Sequence, residues 1–175
     1  MSSAIVSKDF ETVVQEVADF KPSREHADGL IAAFGEHIGV EGLQLDENGG
    51  TVITIDGDLV VSLSYYAHLA GFVVAAPLPL AAAEDDAIMR DLLRANMSWV
   101  HTDGGTFGMA SGSNVPMLLR QIPLALLDAE ALDKQVADFV DLVRGWQYDI
   151  EAGAANRASE RAEQAGAAPD PGSMA

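Results

Sequence analysis

The chain lacks several features that mark common classes of protein. It contains no cysteine among its 175 residues, which excludes disulfides, thiolate nucleophiles and cysteine-ligated zinc. Positive charge is scarce, because 10 lysine and arginine residues stand against 27 aspartate and glutamate residues, for a formal net charge of −17 at pH 7. Since phosphate backbones and anionic lipid surfaces are themselves negative, this balance disfavours nucleic-acid and membrane partners.

Long apolar runs are also missing. The longest apolar stretch, residues 69–83, is interrupted by Pro77 and Pro79 and is too short for a membrane-spanning helix. The N-terminus shows no basic segment followed by an apolar core, so the sequence predicts no secretory signal. We therefore expect a cytoplasmic protein.

One long stretch has no positive charge at all. From Glu25 to Met89 there is no lysine or arginine, whereas eleven acidic residues occur there. The same stretch contains the apolar, strand-like runs 59–63 and 72–74. An acidic surface keeps a protein soluble and raises its encounter rate with basic partners. The combination indicates a protein that binds another protein.

Apolar residues spaced three or four apart predict the helices. The first covers residues 9–20, and the second follows the N-cap Ser23. A third begins at residues 84–86, where carboxylates favour the positive end of the helix dipole. The last follows the N-cap Asp128.

Alternating apolar and polar residues between turn signals predict the strands. Leu43 and Leu45 suggest a first strand, and Pro116 near the start of the last strand predicts an edge position for it. The sequence thus predicts an α+β fold, in which helices pack on an antiparallel sheet of about five or six strands in the order helix-β-β-β-helix-β-β-helix. The first predicted strand covers residues 43–46. The others cover residues 51–55, 59–66, 71–76, 106–110 and 115–122.

Composition changes near both ends of the chain. Residues 1–22 are predicted to be an N-terminal extension with a short amphipathic helix, and residues 23–150 the folded domain. Residues 151–175 have few large apolar side chains, so we expect a flexible tail that can extend the last helix by a turn or two.

No motif indicates catalysis. Residues 46–50 imitate the first ligand positions of a calcium loop, but Thr51 and Gly57 stand where that loop requires glycine and glutamate. The four histidines are scattered without an HExxH pair, and the glycine-rich segment 104–108 lacks the lysine of a phosphate-binding loop. We expect a protein that is not an enzyme and needs no cofactor or metal.

An ordered set of residues lies on the predicted elements. Its most specific part is the Leu-Leu-x-Ala-Asn segment at 92–96, followed by Gly104-Gly105, a strand pair and a final helix that contains Trp146. In this order the chain resembles the class I type III secretion chaperones, the Tir chaperone (CesT-like) family. The resemblance covers about residues 24–150, and the helix at 9–20 and the long tail depart from it.

The resemblance implies a homodimer that binds the extended N-terminal segment of a secreted effector in the bacterial cytoplasm. It implies no use of ATP or metal. Two alternatives remain open: a regulatory protein of the same fold that sequesters a regulator, and an α+β domain that binds a small molecule. A protein partner that adds a strand to a sheet edge or fills apolar surface pockets would fit the leading interpretation.

Two sets of apolar residues are candidates for these contacts. For partner binding we predict residues that recur with the right period to form one apolar surface: Phe34, Ile38, Leu43, Leu45, Ile53 and Ile55. For the dimer interface we predict residues that cover more of the middle helix than one buried stripe needs: Met89, Leu92, Leu93 and Met97. The alternatives are that all four residues of the dimer set pack in the core, and that about half of the partner set forms the interior side of the sheet. Acidic residues are expected to rim the partner site: Glu36, Glu41, Asp46, Asp56 and Asp58.

Overall fold

A computed structural model describes residues 22–97, 99, 101–125 and 127–166. The predicted helix at 9–20 lies outside the described residues. A short 3₁₀ helix, Ala67–Leu69, joins the second and third strands. The other elements are, in chain order, α1 (Arg24–His37), β1 (Gly50–Ile55), β2 (Leu59–Tyr66), β3 (Gly71–Pro77), α2 (Ala81–Glu84), α3 (Asp86–Ala95), β4 (Thr106–Met109), β5 (Pro116–Pro123) and α4 (Ala129–Gly166).

Within the described residues, the strands form one five-stranded antiparallel sheet in the order β1-β2-β3-β5-β4, which confirms the predicted fold class. The predicted edge position of β5 is wrong, because β5 lies between β3 and β4. Pro116 is tolerated there because it is the first residue of the strand. Its carbonyl still accepts a hydrogen bond from the Leu78 N–H at 2.8 Å.

Side-chain caps fix where three of the helices begin, and two of them, Ser23 and Asp128, are predicted from the sequence. The Ser23 hydroxyl accepts a hydrogen bond from the His26 N–H at 3.1 Å at the start of α1. The carboxylates of Asp85 and Asp128 accept equivalent bonds at the starts of α3 and α4, at 2.9 and 2.8 Å. Each cap satisfies a backbone donor that the helix itself leaves without a partner.

The chain divides into two compact units, and the first contains the described residues up to Ile53 with Ser62–Val74 and Gln121–Val136. Its core is built from α1 and strand residues, with Ile31, Phe34 and Leu63 almost inaccessible to solvent. The aromatic ring of Phe72 is buried as well, and it meets the edge of Tyr65 at 6.2 Å between ring centres.

The predicted strand at Leu43 and Leu45 is wrong, since residues 43–46 form an irregular segment. The Arg24 guanidinium, on α1, donates hydrogen bonds to the Leu45 carbonyl at 3.4 Å and to the Asp46 carbonyl at 2.6 Å. The Asp46 carboxylate accepts from the N–H groups of Asn48 and Gly50 at 2.9 and 2.8 Å. These local partners take up backbone groups that a strand would offer to a neighbour.

The second unit contains Thr54–Val61, Ala75–Arg120 and the chain from Ala137 onward. Buried side chains from α3 and α4, including Ile88, Leu92 and Val143, form its core with Leu118 of β5. Residues 151–166 are helical, so α4 continues for about four turns beyond the predicted boundary at residue 150. None of the described helices is long and apolar enough to cross a membrane.

Candidate protein-binding surfaces

The structure separates the predicted partner-binding residues into two groups. Phe34, Leu45 and Ile53 are at most 8% exposed and belong to the core of the first unit. Ile38, Leu43 and Ile55 are half-buried, so each retains some surface for a partner. Half of the set is therefore interior, as in the alternative that the sequence left open.

The half-buried members in the first unit lie where α1 ends. The Ile38 N–H donates to the Phe34 carbonyl at 3.0 Å, and the Val40 N–H donates to the Gly35 carbonyl at 2.8 Å. Gly35 has no room for a side chain, because an added Cβ would come within 2.6 Å of the Leu43 Cβ. We call Ile38, Val40 and Leu43 the α1-end surface. Val40, which sequence reasoning missed, is 41% exposed.

A second apolar position in the first unit lies on the edge strand β1. Val52 is 60% exposed, whereas its neighbour Ile53 is 7% exposed. Sequence reasoning chose the face with Ile53 and missed Val52, because both faces of β1 carry β-branched residues and alternation alone does not say which face is buried. An edge strand also presents backbone groups to which an extended segment can pair.

The other edge strand, β4, is less open to an added strand. Asn96, which follows α3, donates to the Phe107 carbonyl at 3.2 Å and accepts from the Phe107 N–H at 2.8 Å. Its side-chain amide thus occupies the backbone groups that a neighbouring strand would need, and β4 is only four residues long. This pairing gives a structural role to the asparagine of the Leu-Leu-x-Ala-Asn segment.

The residues predicted for a dimer interface also divide. Leu92 is 2% exposed and packs in the core of the second unit, and Met89 is half-buried. Leu93 and Met97 are 60% and 87% exposed. Trp99, two residues farther along, was missed by sequence reasoning; it is 63% exposed and has a positive φ of 52°. We call Leu93, Met97 and Trp99 the α3 surface.

The predicted acidic rim is only partly available to a partner. Arg144 of α4 donates to the Asp56 carboxylate at 2.9 Å and to the Asp58 carboxylate at 3.1 Å. The hydrogen bond from Arg144 lowers the pKa of Asp58, and the same bond raises the pKa of Arg144. Asp46 caps its own turn. Glu36 and Glu41 are exposed next to the α1-end surface, and their role in a rim around the partner site stays a prediction.

The described residues offer no obvious site for a metal. No group of three or more histidine, aspartate or glutamate side chains in this part of the chain could hold an ion. Asp46, which resembles a calcium ligand in sequence, directs a carboxylate oxygen at backbone N–H groups. It acts there as the capping residue of a tight turn.

Comparison with solved structures finds proteins of the same fold. The ExsC-ExsE complex contains a chain that is 26% identical, with a TM-score of 0.64; the match covers 71% of this chain and 93% of that one. A chain of the HopA1-SchA chaperone-effector complex is 19% identical, with a TM-score of 0.62 and coverage of 71% and 95%. A chain in the structure of the Yersinia pestis type III secretion chaperone SycH, in complex with a stable fragment of YscM2, is 18% identical, with a TM-score of 0.53. That match covers 69% of this chain and 98% of the other.

Comparison with protein families agrees with the resemblance seen in the sequence. No curated protein matches the chain. The family model described as "Tir chaperone protein (CesT) family" matches residues 29–147, which include most of α1, the whole sheet and the first half of α4. The chain therefore belongs to the Tir chaperone protein (CesT) family, the family of type III secretion chaperones that its sequence resembles.

Proposed function

We propose that this protein binds the N-terminal segment of a secreted effector in the bacterial cytoplasm and keeps it secretion-competent without catalysing a reaction. The observation that carries the proposal is the family match over residues 29–147. The 26% identical chain was likewise solved as a complex of two proteins, ExsC with ExsE. We call the bound effector segment the client.

The client is held, on this proposal, by the first unit. Val52 offers an exposed apolar side chain on β1, an edge strand to which an extended client segment can add through backbone hydrogen bonds. The opposite edge is less suitable because Asn96 already occupies the backbone of Phe107. Ile38, Val40 and Leu43 provide a further apolar contact for client side chains.

The proposed protomer acts as a homodimer through the α3 surface. Leu93, Met97 and Trp99 are large apolar side chains left exposed in the second unit, where water contact is unfavourable. Aromatic and methionine side chains are enriched in protein interfaces. Of the four residues predicted from the sequence, Leu93 and Met97 remain the leading candidates, Met89 can contribute in part, and Leu92 supports them from the core.

Client capture and substitution test the proposal together. Affinity capture with the full chain from the native bacterium, followed by mass spectrometry, should recover a secreted protein. Val52→Glu should then abolish binding of the client's N-terminal segment while leaving the melting temperature nearly unchanged, since Val52 is mostly exposed. The control is Leu80→Glu, an equally exposed leucine in the second unit, 59% accessible, which should bind the client normally.

Other outcomes have different meanings. Recovery of a transcription-control protein would favour the regulatory alternative, and a metabolite-induced thermal shift without any protein partner would favour a small-molecule site. If Val52→Glu binds the client as well as the native chain does, β1 is not the client site. A salt series adds a kinetic check, because Glu36 and Glu41 should speed association with a basic client at low ionic strength and leave its dissociation rate largely unchanged.

A further inference from the structure

A groove in the second unit, separate from the α3 surface, runs along α4, with α3 opposite it at one end and His101 at the other. It consists of two cavities of about 250 and 410 Å³ that share Trp146 and Asp149 in their walls. The floor of the first cavity is apolar, formed by Ile88, Leu92 and Ile150. These three side chains are at most 5% exposed, so the floor is part of a packed core.

Trp146 is held in place as the wall between the cavities. Its indole N–H donates to the His101 carbonyl at 3.0 Å, which satisfies the polar atom of the ring. The ring also meets Phe107 in an edge-to-face contact, with ring centres 4.8 Å apart. An indole fixed in this way presents a rigid apolar face to a ligand at little entropic cost, and its π system attracts cations.

The rim of the groove is acidic. Asp91 and Asp149 line the first cavity, and Asp141 and Asp149 line the second. Asp91 pairs with Arg94 at 2.9 Å, but both side chains are more than half exposed, and such pairs exchange partners easily. Arg157, the basic residue in the lining, directs its guanidinium to Asp85 at 2.8 Å.

We propose that this groove binds a basic segment of a protein partner, with an arginine or lysine next to an aliphatic residue. The aliphatic side chain would fill the apolar cavity, and the cation would lie over Trp146 between the carboxylates of Asp91 and Asp149. The first cavity, at about 250 Å³, lies below the 300–1,000 Å³ range of small-molecule sites, which favours a single side chain as its occupant. The proposal does not depend on client binding by the first unit.

The groove and the proposed dimer surface use different flanks of α3. Successive residues of a helix are rotated by about 100°, which places Asp91 about 160° from Leu93 around the axis. Leu92 and Ile88 lie on the side that packs in the core. A partner can therefore occupy the groove while Leu93 is covered by a second protomer.

Peptide binding to the full-length protein tests the inference. The probe is a short fluorescein-labelled synthetic peptide of alternating arginine and leucine, followed by fluorescence anisotropy at low ionic strength. The double substitution Asp91→Asn and Asp149→Asn should weaken binding by about tenfold, mainly through slower association. The control, Glu151→Gln, removes the same type of charge from an exposed residue of α4 that does not line the groove, and should leave binding unchanged.

The absence of cysteine allows a steric test as well. Gly145 lines the second cavity and has open space around an added Cβ, so Gly145→Cys introduces a single thiol there. Its modification with a bulky maleimide should block the peptide. Gly29→Cys, which is equally open but lies on α1, should carry the same label without effect.

Three results would overturn the inference. Equal binding by the Asp91→Asn/Asp149→Asn protein would remove the role of the acidic rim. Unchanged binding after modification of Gly145→Cys would place the peptide elsewhere. Full displacement of the peptide by spermidine at matched positive charge would mean that negative charge alone accounts for binding, without a contribution from the apolar cavity. A peptide with glutamate in place of arginine should not bind.

Discussion

Gly71 begins β3 at a point where no side chain fits. A Cβ at this position would overlap the carbonyl oxygen of Ile122 and would lie 3.1 Å from the Cα of Pro123. Nearby, the Leu124 N–H donates to the Ala70 carbonyl at 3.0 Å, so the same two segments are joined by a backbone hydrogen bond. The close approach is between backbones, which cannot yield as a flexible side chain would.

Gly71→Ala should therefore destabilise the protein by about 3 kcal/mol, the upper part of the range for overpacked sites. Gly29→Ala is the matched control, because Gly29 lies on α1 with no atom within 4 Å of an added Cβ. It should stabilise the protein by about 0.5–1 kcal/mol through improved helix propensity. Urea unfolding followed by circular dichroism measures both changes, and similar midpoints for the two variants would contradict the argument.

The capping residues could be predicted from the sequence, whereas two other residue roles could not. Ser23, Asp85 and Asp128 act on N–H groups two or three residues ahead, so a local pattern is enough to identify them. Arg24 binds backbone carbonyls 21 and 22 residues away in sequence. Asn96 binds a backbone group 11 residues away. Their partners depend on how distant segments pack, which no local spacing records.

At the scale of elements, the start of α3 is joined to the extended part of α4. The guanidinium of Arg157 donates to the Asp85 carboxylate at 2.8 Å, and Asp85 also caps α3 through the Ala87 N–H. The bond from Ala87 and the bond from Arg157 together lower the pKa of Asp85. A carboxyl whose pKa is lower in the folded protein stabilises it above the ordinary pKa and loses that effect as the pH falls through the lowered value.

Between about pH 7 and about pH 2, Asp85→Asn should accordingly destabilise the protein most at neutral pH. The difference from the native chain should stay level until the pH reaches about 4, near the ordinary pKa of the carboxyl, and shrink below that. Urea midpoints measured across this range give the comparison. Arg157→Gln should reduce the effect of Asp85→Asn when the two changes are combined, since they remove the same ion pair. Additive effects at every pH would mean that the two side chains act independently.

Most helices and strands between residues 24 and 123 were predictable, because turn signals and caps separate segments whose apolar residues repeat at a clear helix or strand spacing. The exceptions have physical causes. Leu43 and Leu45 alternate like a strand, but Arg24 occupies the backbone there. The composition after residue 150 predicts a tail, yet the helix continues, and Arg157 is one residue of that segment with a specific partner in the folded protein. For the site, periodicity identified apolar faces but not which of them remain exposed.

At the scale of the whole molecule, the exposed apolar residues of the second unit predict self-association. Light scattering should give twice the 18.4 kDa of one chain at micromolar concentration. Leu93→Glu with Met97→Glu should give the monomer mass, because a stable interface of about 1,200–2,000 Å² cannot accommodate four buried carboxylates, two from each protomer. Far-UV circular dichroism should be unchanged, as both side chains are mostly exposed.

Val52→Glu separates this prediction from the client site. It adds the same charge to an exposed apolar residue of the first unit, so the dimer mass should persist while client binding is lost. A monomer mass for the native chain would remove the proposed interface. It would leave the family assignment intact, since that rests on the match over residues 29–147.

The placement of β5 between β3 and β4 has a consequence for how the chain folds. β1, β2 and β3 follow one another through short connections and can pair as soon as they are synthesised. The second neighbour of β3 is β5, which begins some forty residues after β3 ends. The centre of the sheet therefore depends on contacts between residues far apart in sequence, and such contacts slow folding. Until the ribosome has released residue 123, the edge of β3 has no permanent partner, and a nascent chain is most exposed to aggregation in that interval.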